Sequence, residues 1–72
     1  MSKVQKEHIE SCIKSVRKKK GITQQELADA VGVTRQTIIA VEKGNYTPSV
    51  LLALKLSQYV DKSVEDVFGI KK

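Results

Sequence analysis

The 72-residue chain predicts an all-α fold. Apolar residues recur three and four positions apart in successive segments, the spacing of one buried helical face. Thr or Ser stands ahead of several of these segments, and Gly21, Gly32 and Gly44 close three of them. Helices begin on residues whose side chains accept a backbone N–H, and they end on residues tolerant of positive φ. No alternating run is long enough for a confident strand, so at most a short strand is expected at a terminus.

The elements follow in order. Residues 1–6 are polar and expected to fray. Helix one is expected from about His8 to Lys20, with Ile9, Ile13 and Val16 on its inner face and Cys12 beside them as a small core residue. Helix two runs from about Gln24 to Val31. Thr23 caps it, and Glu26, three residues on, can reach back to the Thr23 amide as the second half of a capping box. Gly32 makes the turn, Thr34 caps helix three, and helix three runs from about Arg35 to Lys43. Asn45-Tyr46-Thr47-Pro48 is a loop, after which Thr47 or Ser49 caps a fourth helix running to about Tyr59. Ser63-Val64-Glu65-Asp66 opens a short fifth helix through about Phe68. The expected core is Ile13, Val16, Ile22, Leu27, Ala28, Val31, Val33, Ile38, Val41, Val50, Ala53, Leu56, Val60, Val64 and Val67.

Composition narrows the function. With no linker, repeat or low-complexity block, the chain reads as one domain over residues 1–72, with a core over residues 8–69. So small a core supplies only a few kcal/mol of net stability, on the order of the lower end for globular domains, and a partner subunit would add to it. The formal charge is +5 and the pI about 9.5, which favours an acidic partner such as nucleic acid. All of that excess lies in residues 1–20, where Lys3, Lys6, Lys14, Arg17, Lys18, Lys19 and Lys20 face only Glu7 and Glu10. The single Cys12 excludes an internal disulfide and fits a reducing compartment. No apolar run approaches the length of a membrane span and no leader opens the chain, so a cytoplasmic protein without membrane contact is expected. His8 has no ligand-spaced partners. Neither a metal site, a nucleophile–base pair nor a phosphate-cradling loop can be assembled, so no cofactor and no enzyme activity are expected.

The segment Thr23–Ile38 carries the most information. Two short capped helices joined by a glycine turn form a helix-turn-helix, whose second helix enters the DNA major groove. That helix opens Thr34-Arg35-Gln36-Thr37, side chains able to meet base edges and phosphates. Ile38 and Val41 set its inner face, which turns Arg35, Gln36, Ile39 and Ala40 outward. Arg35 suits guanine or a phosphate, and Gln36 suits adenine. Outward Ile39 and Ala40 fit methyl contact with thymine.

Helix four has more apolar surface than its inner stripe of Val50, Ala53, Leu56 and Val60 needs. Leu51, Leu52, Leu54 and Tyr59, with Phe68 and Ile70, are therefore candidates for a dimer surface. Tighter packing of the C-terminal helix over them is the plainer alternative.

The segments Gly21-Ile22-Thr23-Gln24-Gln25-Glu26-Leu27-Ala28, Gly32-Val33-Thr34-Arg35-Gln36-Thr37-Ile38 and Glu42-Lys43-Gly44-Asn45-Tyr46-Thr47-Pro48-Ser49 resemble the XRE/Cro-repressor family. The likeness is greatest to its short stand-alone members of the cytolysin-repressor type, and it covers roughly residues 9–69. The resemblance implies a five-helix, λ-repressor-like DNA-binding domain that works as a homodimer on a palindromic operator. It implies base readout by Thr34, Arg35, Gln36, Thr37, Ile39 and Ala40. Phosphate contacts would come from Thr23 and Gln24 at the start of helix two, and from Lys43, Asn45 and Tyr46 after helix three. It further implies a structural ion pair between Arg17 and Glu42. Ile39 and Ala40 depart from the polar readers common in the family, so specificity would rest more on Arg35 and Gln36.

A dimeric transcriptional regulator of double-stranded DNA, most simply a repressor, is the leading expectation, with a second regulatory protein as one means of control. An antitoxin-like interaction module on the same fold is the alternative, and a nonspecific nucleoid protein a third. Steep salt dependence and a preferred site distinguish the first from the others.

Overall fold

The computed structural model describes residues 7–71, ordered as β1 (His8–Ser11), α1 (Ile13–Lys19), α2 (Gln24–Val31), α3 (Arg35–Lys43), α4 (Val50–Tyr59), α5 (Val64–Val67) and β2 (Phe68–Lys71). The segment expected to fray, residues 1–6, lies outside the described residues. Each middle helix starts on its predicted cap. In α2 the capping box is complete: the Glu26 amide donates to Thr23 Oγ1 at 3.0 Å, and the Thr23 amide donates to Glu26 Oε1 at 2.9 Å. Thr34 Oγ1 accepts from the Thr37 amide at 3.2 Å. Ser49, and not Thr47, caps α4, its Oγ accepting from the Leu52 amide at 3.1 Å. Ser63 caps α5 through the Asp66 amide at 3.2 Å. Gly32 and Gly44 both sit at φ +78, the left-handed conformation that ends α2 and α3,.

Two terminal expectations need correction. Residues 8–11 are a strand and not the first turn of helix one; β1 pairs antiparallel with β2, placing Ile9 opposite Ile70 and Ser11 opposite Phe68. The Ile9/Ile13/Val16 spacing suits a helix, yet Ile9 and Ser11 are also alternate half-buried positions along a strand. The distant C-terminal segment decides between the two by offering a ladder. The Cys12 amide extends that ladder, donating to the Val67 carbonyl at 2.7 Å, and α1 begins only at Ile13. Cys12 is consequently exposed rather than a core residue. Likewise the short last helix stops at Val67, and Phe68 opens β2.

The core joins Ile13 of α1, Leu27, Ala28 and Val31 of α2, Ile38 and Val41 of α3, Leu52 and Leu56 of α4, then Val60 and Val67. Val16, Ile22, Val33 and Phe68 pack on it partly buried, and Ala53 and Val64 are half-buried. Val50 is 76% exposed and does not belong to it, whereas Leu52, expected on an outer surface, is 6% exposed and does. Leu56 and Val60 anchor the buried face of α4 under either phase. Residue 52, one turn before Leu56, completes that face, while Val50 is the first residue of the helix and faces solvent. Ser57, 2% exposed, sits within this face because its hydroxyl donates to the Ala53 carbonyl at 2.8 Å,.

Candidate nucleic-acid interface

The core fixes how the second helix of the pair is rolled. Ile38 and Val41 are buried against α2, leaving the N-terminal end of α3 on the surface with Thr34, Arg35 and Gln36 exposed. Thr37 is half-buried, and its hydroxyl lies 3.1 Å from that of Thr34, so the two threonines partly satisfy one another. Ile39 and Ala40 were expected to face outward; both are half-buried. They flank the buried Ile38 and Val41, whose packing reaches one position to either side.

A polar chain runs from the interior to this end of α3. Arg17, on α1, turns inward and is 7% exposed. Its Nε donates to Glu42 Oε2 at 2.6 Å, its Nη2 to Glu42 Oε1 at 3.3 Å, and its Nη1 to the Ile22 carbonyl at 2.8 Å. The side chains keep only 8% and 2% of their exposure. This two-point contact between guanidinium and carboxylate fixes direction as well as distance. Glu42 Oε1 also accepts from Gln24 Nε2 at 3.0 Å, and Gln24 Oε1 accepts from Arg35 Nε at 3.3 Å. The chain ties α1 and α2 to the C-terminal end of α3 through Glu42, and α2 to its first residue through Arg35. No buried side-chain nitrogen or oxygen among the described residues lacks a partner.

These bonds, and one in the loop after α3, engage two of the residues expected to meet phosphates. The Gln24 side chain bridges Glu42 and Arg35, which leaves the outward amides of the first turn of α2 as the groups able to meet a phosphate there,. In the loop after α3 the Asn45 amide donates to the Ala40 carbonyl at 3.0 Å to close the helix, so it is occupied. Lys43, Asn45 and Tyr46 are all exposed.

Lys14, Lys18 and Gln25 had no site assignment in the sequence. An open cleft of about 500 Å³ lies where α1 meets the start of α2, with Lys14, Lys18, Gln24, Gln25 and Arg35 on its walls. Lys14 and Lys18 are four apart and both exposed, with the inward Arg17 between them. Spacing alone could have paired the two lysines; only the fold brings Arg35 to them.

A second surface is apolar. A groove of about 560 Å³ is lined by Ile9, Pro48, Val50, Leu54, Val64 and Phe68 among others. Around it and along α4, Val50, Leu51, Leu54, Tyr59 and Ile70 are 43–76% exposed, from Leu54 at 43% to Val50 at 76%. Of the dimer candidates, Leu51, Leu54, Tyr59 and Ile70 are on the surface, Phe68 is half-buried at the groove, and Leu52 is in the core. Among the described residues there is no group of His, Cys, Asp and Glu that could hold a metal, and no helix is long and apolar enough to cross a membrane.

Comparison with known proteins places this geometry. A helix-turn-helix family model matches residues 13–67. The HTH-type transcriptional regulator YgzD of Bacillus subtilis is 47% identical over 60 residues, covering 83% of this chain and 91% of YgzD. Among solved structures, the restriction-modification controller protein C.AhdI from Aeromonas hydrophila superposes with a TM-score of 0.70 at 30% identity, over 75% of this chain and 82% of that one. The clp gene regulator ClgR from Corynebacterium glutamicum superposes with a TM-score of 0.72 at 31% identity; the match covers 75% of this chain and 57% of ClgR.

Proposed function

The chain belongs to the XRE/Cro branch of the helix-turn-helix transcriptional regulators, and we propose that it acts as a homodimeric repressor, placing one α3 in each half-site of a palindromic operator. The observation that carries this reading is the exposed N-terminal end of α3, held at a fixed roll by Ile38 and Val41 below it and by the Arg17–Glu42–Gln24 chain beside it. A helix presented in this way reads base edges with the side chains of its first turns. Arg35 and Gln36 are the hydrogen-bonding readers, guanine and adenine being their matched bases. Thr34 and Thr37 support them at the start of the helix, and the methyl groups of Ile39 and Ala40 meet thymine methyls.

The duplex backbone is gripped on both sides of α3. Thr23 and the first amides of α2 meet one phosphate, where the partial positive charge of the helix end adds attraction. Lys43, Asn45 and Tyr46 meet another. These contacts set register and carry no sequence information. Repression follows from occupancy of a promoter and needs no sensor domain.

Dimerisation rests on the apolar surface of α4 and the sheet. Leu51, Leu54, Tyr59 and Ile70 are the pieces of it that water covers in the single chain, and burial against a second copy removes that cost. Selecting bound duplexes from a random pool tests the whole reading. The expected product is a palindrome whose half-sites are about one helical turn, ~34 Å, apart. A half-site without symmetry would overturn the dimer, and absence of any enriched sequence would overturn readout by α3.

A further inference from the structure

We propose that Lys14 and Lys18, on the walls of the cleft between α1 and the start of α2, are further cationic grips on the backbone phosphodiester that the first turn of α2 meets. The proposal rests on the reading that α3 docks in the major groove, and it extends the contact surface onto a helix to which that reading assigned no contact with DNA.

Lys14 and Lys18 lie on one side of α1, four residues apart, and line the same cleft as Arg35. Like charges at that spacing repel on an isolated helix. Nothing nearby relieves them. Helix α1 contains no acidic residue, and neither lysine forms a salt bridge among the described residues. The acids of α2 and α3 are engaged elsewhere, Glu42 with Arg17 and Gln24, Glu26 with the Thr23 amide, and Asp29 with Gln25 Nε2 at 2.9 Å, and Glu10 of β1 does not line the cleft. The wall opposite the lysines is the first turn of α2, whose outward amides and dipole also favour an anion.

The cleft therefore gathers four cationic side chains from two helices around an open space of about 500 Å³, and among the described residues only Arg17 has a carboxylate partner. Its ligand is an anion with several acceptor oxygens. Arg35 joins the cleft to the exposed end of α3, so that an anion held there sits beside the groove α3 enters. A backbone phosphate of the same duplex satisfies both conditions. Free phosphate shares the chemistry but not the position.

The test uses the duplex selected by the wild-type protein and the Lys14→Ala/Lys18→Ala variant, with binding measured between 50 and 200 mM salt. Each phosphate that is no longer neutralised reduces the slope of log affinity against log salt by about 0.9, so losing one in each half-site of the dimer should flatten it by about 1.8. Over that range the variant should lose about 12-fold less affinity than wild type, while selecting the same sequence. Lys14→Arg/Lys18→Arg should restore the slope, and Lys62→Ala, a control away from the cleft, should leave it unchanged. Neutral methylphosphonate substitution at the single phosphates flanking the site should weaken wild type at one position per half-site and weaken the alanine variant much less there. Inorganic phosphate added at constant ionic strength should not abolish that positional effect; if it does, the cleft takes the free anion. An unchanged slope in the double variant, with sequence selection intact, overturns the lysine site alone. Failure of wild type to select any sequence overturns the docking of α3 instead.

Discussion

At the scale of single residues, the Arg17–Glu42 pair shows what the interior demands. Two charges held at 8% and 2% side-chain exposure are costly to desolvate, and their mutual contact offsets that cost only while both are present,. Glu42→Ala should therefore lower unfolding stability by about 3–5 kcal/mol, since it leaves the Arg17 guanidinium buried without a counter-charge. Replacing both by apolar residues, as in Arg17→Met/Glu42→Leu, should cost less than either single change. Urea denaturation of Glu42→Ala and of the double variant measures this directly. A larger loss in the double variant than in Glu42→Ala would contradict it.

The same pair marks how far residues can be read from sequence. Arg17 and Glu42 are 25 positions apart, and periodicity does not connect them; only the family resemblance did. Gln24 was legible as the first residue of α2, but its side chain spans Glu42 and Arg35 rather than facing outward. A glutamine has both a donor and an acceptor, and the competition between solvent, phosphate and two charged neighbours is settled by positions that only the packed helices supply. Lys14 gave no sign of its place beside Arg35 for the same reason.

At the scale of elements, local chemistry accounts for the middle of the chain. The capping box of Thr23 and Glu26, the Thr34 cap and the left-handed Gly32 are short-range signals, and α2 and α3 begin and end where those signals place them. Gly32 isolates the conformational part of that control, because a Cβ there would meet nothing within 4 Å. Gly32→Ala should thus lose about 1–2 kcal/mol from the φ of +78 alone, seen as a lower thermal or urea midpoint,. A neutral result would mean that the turn relaxes and does not determine the angle between the two helices.

The ends of the chain were less legible. Residues 8–11 carry a spacing compatible with a helix and an alternation compatible with a strand, and pairing with residues 68–71 selects the strand. Helix α4 posed an analogous choice. Its leucines allowed either Val50 or Leu52 to complete the stripe with Leu56 and Val60, and packing against α2 selected Leu52. Long-range partners settled both cases, and neither partner is visible from within the segment.

At the scale of the whole molecule, two surfaces of opposite character divide the chain. One joins the cationic cleft to the exposed end of α3; the other is the apolar face of α4 with the groove beside the sheet. An isolated 72-residue domain gains from covering the second,. Leu54→Glu should therefore convert a dimer to a monomer in sedimentation and weaken operator binding by much more than it weakens binding to a single half-site. Leu54 is 43% exposed in the single chain, so the change should leave the monomer folded. A Leu54→Glu protein that remains dimeric would place the interface elsewhere.

The central claim is that the first turn of α3 reads sequence while the flanking residues hold the backbone. The most direct measurement is the ratio of operator to random-duplex affinity, at one salt concentration, for wild type, Arg35→Ala, Gln36→Ala and Lys43→Ala. Each base-reading contact is worth about 1–3 kcal/mol of discrimination, so Arg35→Ala and Gln36→Ala should each cut the ratio by roughly 5- to 150-fold. Lys43→Ala should weaken both duplexes alike and leave the ratio unchanged. An unchanged ratio for Arg35→Ala and Gln36→Ala, or a collapsed ratio for Lys43→Ala alone, would contradict the assignment.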